Sequence, residues 1–183
     1  MNAEPPWHSI EVPYWPAEAR RAFQWLPSRA LIRTIRDYEG LSRGGVLAAL
    51  RRPFVVLRHR FWSVVTGADI PLNCRIGGGF KLPHPNGVVI HPQVEIGINC
   101  CIFQQVTLGK QPSGVPRIGA HVEIGAGAKI LGNVIVGNHV KIGANAVVVC
   151  DVPDGATAVG VPARIILPGQ QSSDRPAGVG SPL

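Results

Sequence analysis

Aliphatic residues recur at every sixth position through the C-terminal two-thirds of this chain. The series runs Ile70, Ile76, Leu82, then Ile90, Ile96, Ile102, Leu108, then Ile118, Ile124, Ile130, Val136, Ile142 and Val148, so that all thirteen slots hold Ile, Leu or Val. The residue four places after each slot is mostly small or β-branched, as at Cys74, Val94, Cys100, Val106, Val122, Ala128, Val134, Val140, Ala146 and Val152. A period of six matches neither an amphipathic helix nor the alternation of a half-buried strand. It is the signature of a parallel β-helix, in which three hexads make one triangular turn. Each side is a short strand, each corner takes a turn-forming residue, and the large aliphatic points inward onto its copy one turn away. Thirteen hexads predict about four turns, stacked at roughly 4.8 Å. A β-sandwich with chance spacing is the alternative, and the sustained regularity disfavours it. Cys74 and Cys100 occupy the small inward slot, which assigns them to packing rather than to nucleophilic chemistry.

The front of the chain is compositionally distinct. Of the formal charge of +7, residues 1–68 carry 10 Arg against 5 acids, and all four Trp lie there as well. The expected organisation is an N-terminal helical segment over 1–67, the β-helix over 68–167, and a disordered Gly, Ser, Pro and Gln-rich tail over 168–183. Residues 17–66 read as helical. Ser28 and Ser42 are the candidate caps before Arg29–Tyr38 and Arg43–Val65, with a kink at Pro53. Residues 50–62 interleave arginines with aromatic and aliphatic side chains, a pattern that suits peripheral membrane contact; packing onto the prism is the alternative. No nucleic-acid reader motif accompanies the basic region, so no nucleic-acid partner is expected. The opening residues lack the features of a secretion signal, and no apolar stretch approaches the ~20 residues of a bilayer span, so a cytoplasmic location is expected. The four cysteines form no C-x-x-C, and neither a metal site nor a disulfide framework is expected.

The period slips twice, from Leu82 to Ile90 and from Leu108 to Ile118. Such breaks are where function tends to sit. The first holds Pro83-His84-Pro85-Asn86-Gly87. The second holds Gly109-Lys110-Gln111-Pro112-Ser113-Gly114-Val115-Pro116-Arg117, and a loop lifted off a rigid prism there can hold side chains against a ligand.

With these residues the chain resembles the hexapeptide acyltransferases, and within them the serine O-acetyltransferase family. The resemblance spans residues 69 to about 166. It rests on Ala68-Asp69-Ile70-Pro71, the His84 loop with Gly87-Val88-Val89-Ile90, Val106-Thr107-Leu108-Gly109, Ile124 through Asn133, and Gly160-Val161-Pro162-Ala163-Arg164. It implies a left-handed β-helix, a homotrimer with active sites between subunits, and acetyl-CoA as co-substrate. By the same resemblance His84 is the catalytic base and Asp69 the carboxylate that pairs with it. A histidine suits this task because an alcohol is a poor nucleophile until its proton is taken near neutral pH. Backbone N–H groups near Gly109 and Lys110 would stabilise the oxyanion. Ala126 and Ala144 match positions whose backbone meets the pantetheine arm. Lys129 and Arg164 are candidates for its phosphates, with ordinary solvated charge the alternative for them and for Lys141. His91, His121 and His139 fall in outward or corner slots and read as solvated.

Asp69 and His84 stand fifteen residues apart, short of the eighteen of an ideal turn, so the first slip must bring them together. Two departures bear on the acceptor. The family carries an Asp-Arg-His-Pro run where this chain has Ser113-Gly114-Val115-Pro116, and an Asp before its catalytic His where this chain has Pro83. Without those groups to recognise a zwitterion, the expected activity is acetyl transfer from acetyl-CoA to a sugar hydroxyl or other small-molecule alcohol. Serine is the alternative acceptor, and a non-catalytic hexapeptide module the second alternative. The front is shorter than the family's helical region, which favours a trimer over a hexamer.

Overall fold

All thirteen aliphatic slots are buried, and so are the ten small or β-branched positions that follow them. The structure, a computed structural model, describes residues 6–19, 24–41 and 44–169. Three parallel sheets form the faces of a left-handed prism. The first side stacks Val89–Ile90, Thr107–Gly109, Lys129–Leu131 and Val147–Val148, with Asp69 bridged to Val89 at its start. The second stacks Arg75–Ile76, Glu95–Ile96, Arg117–Ile118 and Ile135–Val136. The third stacks Cys101–Ile102, Glu123–Ile124, Lys141–Ile142 and Thr157–Val159, the last paired antiparallel with Arg164–Ile166.

The registers show where the period slips. Along the first side, partners are separated by 20 residues (Asp69 to Val89), 18 (Val89 to Thr107), 22 (Thr107 to Lys129) and 18 (Lys129 to Val147). The final step shortens to 16, from Lys141 to Thr157. The prism therefore has about five turns rather than the four expected. Its last turn uses Val152 and Ala158 as inward residues only four and ten places after Val148. Each fully buried Ile or Leu contributes about 1.5–3 kcal/mol, so the aliphatic column is the main source of stability.

Two corners each place one residue per turn in the left-handed backbone region. Between the second and third sides these are Gly79, Asn99, His121, His139 and Gly155; between the third and first they are Gly87, Gln105, Gly127 and Asn145. Glycine and asparagine tolerate this conformation; the His and Gln side chains there are held by the turns above and below.

At the front, α1 (Pro27–Leu41) buries Leu31, Ile32 and Ile35 in the same core cluster as Ile70, Ile76 and Leu82, closing the prism's first turn. α2 (Val46–Thr66) packs on α1 and ends at Gly67, whose left-handed backbone returns its N–H to Ser63 O at 2.8 Å. The expected boundaries shift. Ser28 lies inside α1, which begins at Pro27; Pro53 lies within an unbroken α2; and residues 15–17 form only a 3-10 turn. Ser42 and residues 170–183 of the tail lie outside the described residues.

The segment 7–19 lies along the corner between the second and third sides. Asn99, buried there, accepts the Tyr14 N–H at 2.7 Å and donates to Ser9 O and Val12 O. Glu18 ties the same segment to α1 through Arg36 at 2.8 Å and accepts the Phe80 N–H at 2.9 Å. His121 is half-buried rather than solvated. Its ring stacks on His8 and Trp7, and its Nδ1 meets His139 Nδ1 at 3.3 Å.

Candidate active site

The twenty-residue first turn decides where His84 sits. Its two extra residues fall in the loop after Leu82, which turns from the third side into the first beside Asp69. That loop is fastened at its C-terminal end. Gly87 N–H donates to Gly67 O at 2.8 Å, just past α2, and Asn86 O accepts the Gln105 N–H of the second turn at 2.9 Å. Asp69 opens the first side, its N–H on Val88 O at 2.8 Å and its C=O accepting Ile90 N–H at 2.9 Å. His84 lies in this loop, five residues before Val89, the register partner of Asp69. His84 and Asp69 are both exposed, and no hydrogen bond joins them.

The same corner carries the alanines. Ala126 and Ala144 occupy it in successive turns, with Asn145 N–H donating to Ala126 O at 2.8 Å. Their small side chains leave this edge of the prism open for a long, thin ligand. Lys129 lies on the adjoining first side and donates through Nζ to Gln105 O at 2.5 Å. Gly109 ends the strand Thr107–Gly109 and pairs with Leu131; Lys110 follows at the far edge of this side, its Nζ 3.3 Å from Gln93 Oε1. Arg164 stands apart in the antiparallel strand that closes the last turn, opposite Val159.

The second loop does not lift away. Gln111 and Gly114 exchange backbone hydrogen bonds at 2.9 Å, and Ser113 Oγ accepts the Asn133 N–H at 3.3 Å, folding this hairpin back onto the fourth turn. A cavity of about 970 Å³ lies elsewhere, between Trp15, Glu18, α1 and Arg75.

Sequence reasoning passed over His59. It lies buried in α2 with Nδ1 2.8 Å from Thr34 Oγ1. Burial holds its imidazole below the ordinary histidine value, while a hydrogen bond to the Ile70 backbone and the charge of Asp69 pull it partly back. His59 therefore reaches the strand that opens with Asp69. Its signal was hidden because the arginine-rich stretch around it reads as surface. Burial also raises the thiols of Cys74 and Cys100 to about 12, consistent with packing. Among the described residues no group of His, Cys, Asp and Glu is arranged to hold a metal ion.

The family described as "Bacterial transferase hexapeptide (six repeats)" matches residues 116–150. A serine acetyltransferase from Escherichia coli (strain K12) is 44% identical over 131 residues, covering 69% of this chain and 47% of that one. Serine acetyltransferase 5 from Arabidopsis thaliana is 48% identical over 120 residues, covering 63% and 38%. A solved serine acetyltransferase in complex with CoA superposes with a TM-score of 0.65 at 37% identity, over 78% of this chain and 58% of that one. The chain is a hexapeptide-repeat protein similar to serine acetyltransferases. It spans about half the length of the curated relatives it matches.

These relatives overturn the expected sugar or other small-alcohol acceptor in favour of serine, which stood as the alternative. A soybean serine acetyltransferase complexed with serine also shares the fold, at a TM-score of 0.66 and 38% identity. The expectation rested on Pro83 and on Ser113 to Pro116. These are a few positions in two loops, set against identity that extends through the prism.

Proposed function

We propose that this chain is an acetyl-CoA-dependent serine O-acetyltransferase whose active site forms at the corner carrying His84 and Asp69. The observation that carries the reading is the continuous edge from the His84 loop down through Ala126 and Ala144, on a prism matching a serine acetyltransferase complexed with CoA. Serine supplies the hydroxyl. His84 takes its proton as the oxygen attacks the thioester carbonyl, with Asp69 holding the imidazole tautomer and stabilising the imidazolium. Donors near Gly109 and Lys110, at the far edge of the first side, stabilise the oxyanion of the tetrahedral intermediate from a neighbouring prism. Collapse breaks the C–S bond, and the imidazolium returns its proton to the departing CoA thiolate. The products are O-acetylserine and CoA. Ala126 and Ala144 give the pantetheine arm close approach, and Lys129 and Arg164 meet the phosphates, Lys129 by leaving the Gln105 carbonyl.

A homotrimer fits this arrangement, since a neighbouring prism supplies the wall that one chain lacks. Thiol release from acetyl-CoA, followed with serine and with a panel of sugars, tests the acceptor. Saturable turnover on serine is the expected result; turnover confined to sugars would reject serine as substrate.

A further inference from the structure

α2 is built inside out. Its buried residues are Ala48, Val55, His59 and Thr66, whereas Leu47, Leu50, Phe54, Leu57, Phe61 and Val64 are exposed. The exposed set recurs at spacings of three and four, which places it in one stripe along the helix, opposite the side that meets α1. The exposures are 75% for Leu47, 74% for Phe54, 69% for Leu57 and 84% for Val64, so the stripe is uncovered along the whole helix. A continuous apolar face of this size marks a contact surface.

Charge identifies the occupant. α2 contains no Asp or Glu among its 21 residues, but it carries Arg51, Arg52, Arg58 and Arg60. At the helical repeat of 100° per residue Arg51 and Arg58 fall on one flank of the stripe and Arg60 on the other, while Arg52 lies on the far side of the helix. Arg58 pairs with Asp37 of α1, while Arg51, Arg52 and Arg60 form no ion pair among the described residues. Packing this face on its own copy would set arginines against arginines with no carboxylate from either helix between them. An anionic lipid surface instead accepts the apolar stripe between acyl chains and the flanking guanidinium groups among phosphates.

We propose that α2 is an interfacial helix that docks the protein on membranes containing anionic lipid. The helix would lie in the bilayer surface without crossing it, consistent with the absence of a span among the described residues. Because α2 ends at Thr66, docking sets the Asp69 corner close to the lipid surface. The inference is independent of the acceptor and of catalysis.

Co-sedimentation of the full chain with vesicles of phosphatidylcholine alone, or with about one-third phosphatidylglycerol, tests it. Arg51 and Arg60, unpaired on the two flanks, predict roughly thirtyfold tighter binding to the anionic vesicles, weakened at high salt. Leu57→Ser with Phe61→Ser removes only exposed side chains and should lower binding at least about tenfold while leaving the thermal transition in place. Arg51→Gln and Arg60→Gln together should erase the preference for anionic vesicles. Equal binding to both vesicle types, or none to either, overturns the proposal. So does a fall in the native mass, without vesicles, caused by the Leu57→Ser and Phe61→Ser pair, because a second copy would then cover this face.

Discussion

At the scale of single residues, the proposed chemistry rests on a few side chains whose positions come from the backbone around them. His84 and Asp69 are candidates through the resemblance, His84 also because its loop interrupts the six-residue period. The length of the first turn was not legible: its two additional residues show only in the Asp69 to Val89 register. His59 went unread for a different reason: its neighbours Arg58 and Arg60 point to a surface, yet its own ring is turned inward against Thr34. That burial has a pH consequence. The folded imidazole is held below the ordinary value of 6.5, so on acidification the unfolded chain binds this proton first. The stability associated with neutral His59 is present above about pH 6.5 and is lost as pH falls through that value toward the folded one. His121 acts in the same direction, lowered by burial and then by His139, His8 and Lys81. Chemical denaturation between pH 7 and pH 5 should show stability falling with pH, with a shallower slope for His59→Gln. An unchanged slope would place the proton uptake elsewhere.

At the scale of elements, the inward residues of the prism were read correctly from the six-residue period because every hexad repeats the same packing problem. The last turn escaped notice because its step contracts to four residues at Val152 and its next inward residue is the small Ala158. The helices were legible in kind but not in orientation. Hydrophobicity alone selects the stripe of α2 that the structure leaves exposed, and α1 takes the role of covering the prism's first turn. The glycines following the aliphatic slots serve close approach: a Cβ at Gly97 would stand 2.5 Å from Gly119 O in the next turn. Gly97→Ala should therefore destabilise the fold by about 1–3 kcal/mol, the range of an overpacked core, measured by denaturant titration. A neutral effect would mean that the turns separate more easily than their backbone pairing implies.

At the scale of the whole molecule, the edge with His84 and Ala144 is exposed, so for the proposed reaction a single chain presents a wall where a cleft is needed. Assembly is the remedy the family resemblance implies. Light scattering on the purified protein should give a mass three times that of the 19.5 kDa chain. A stable monomer would leave His84 without the second wall. Acceptor identity was the part least legible in sequence, because loop differences were weighed more heavily than the similarity of the whole prism. The most direct test of the account is serine-dependent CoA release by His84→Ala compared with the unaltered chain, both at the same native mass. Loss of a general base predicts a rate lower by about 10²–10⁴-fold with assembly intact, and an unchanged rate would show that another group takes the serine proton.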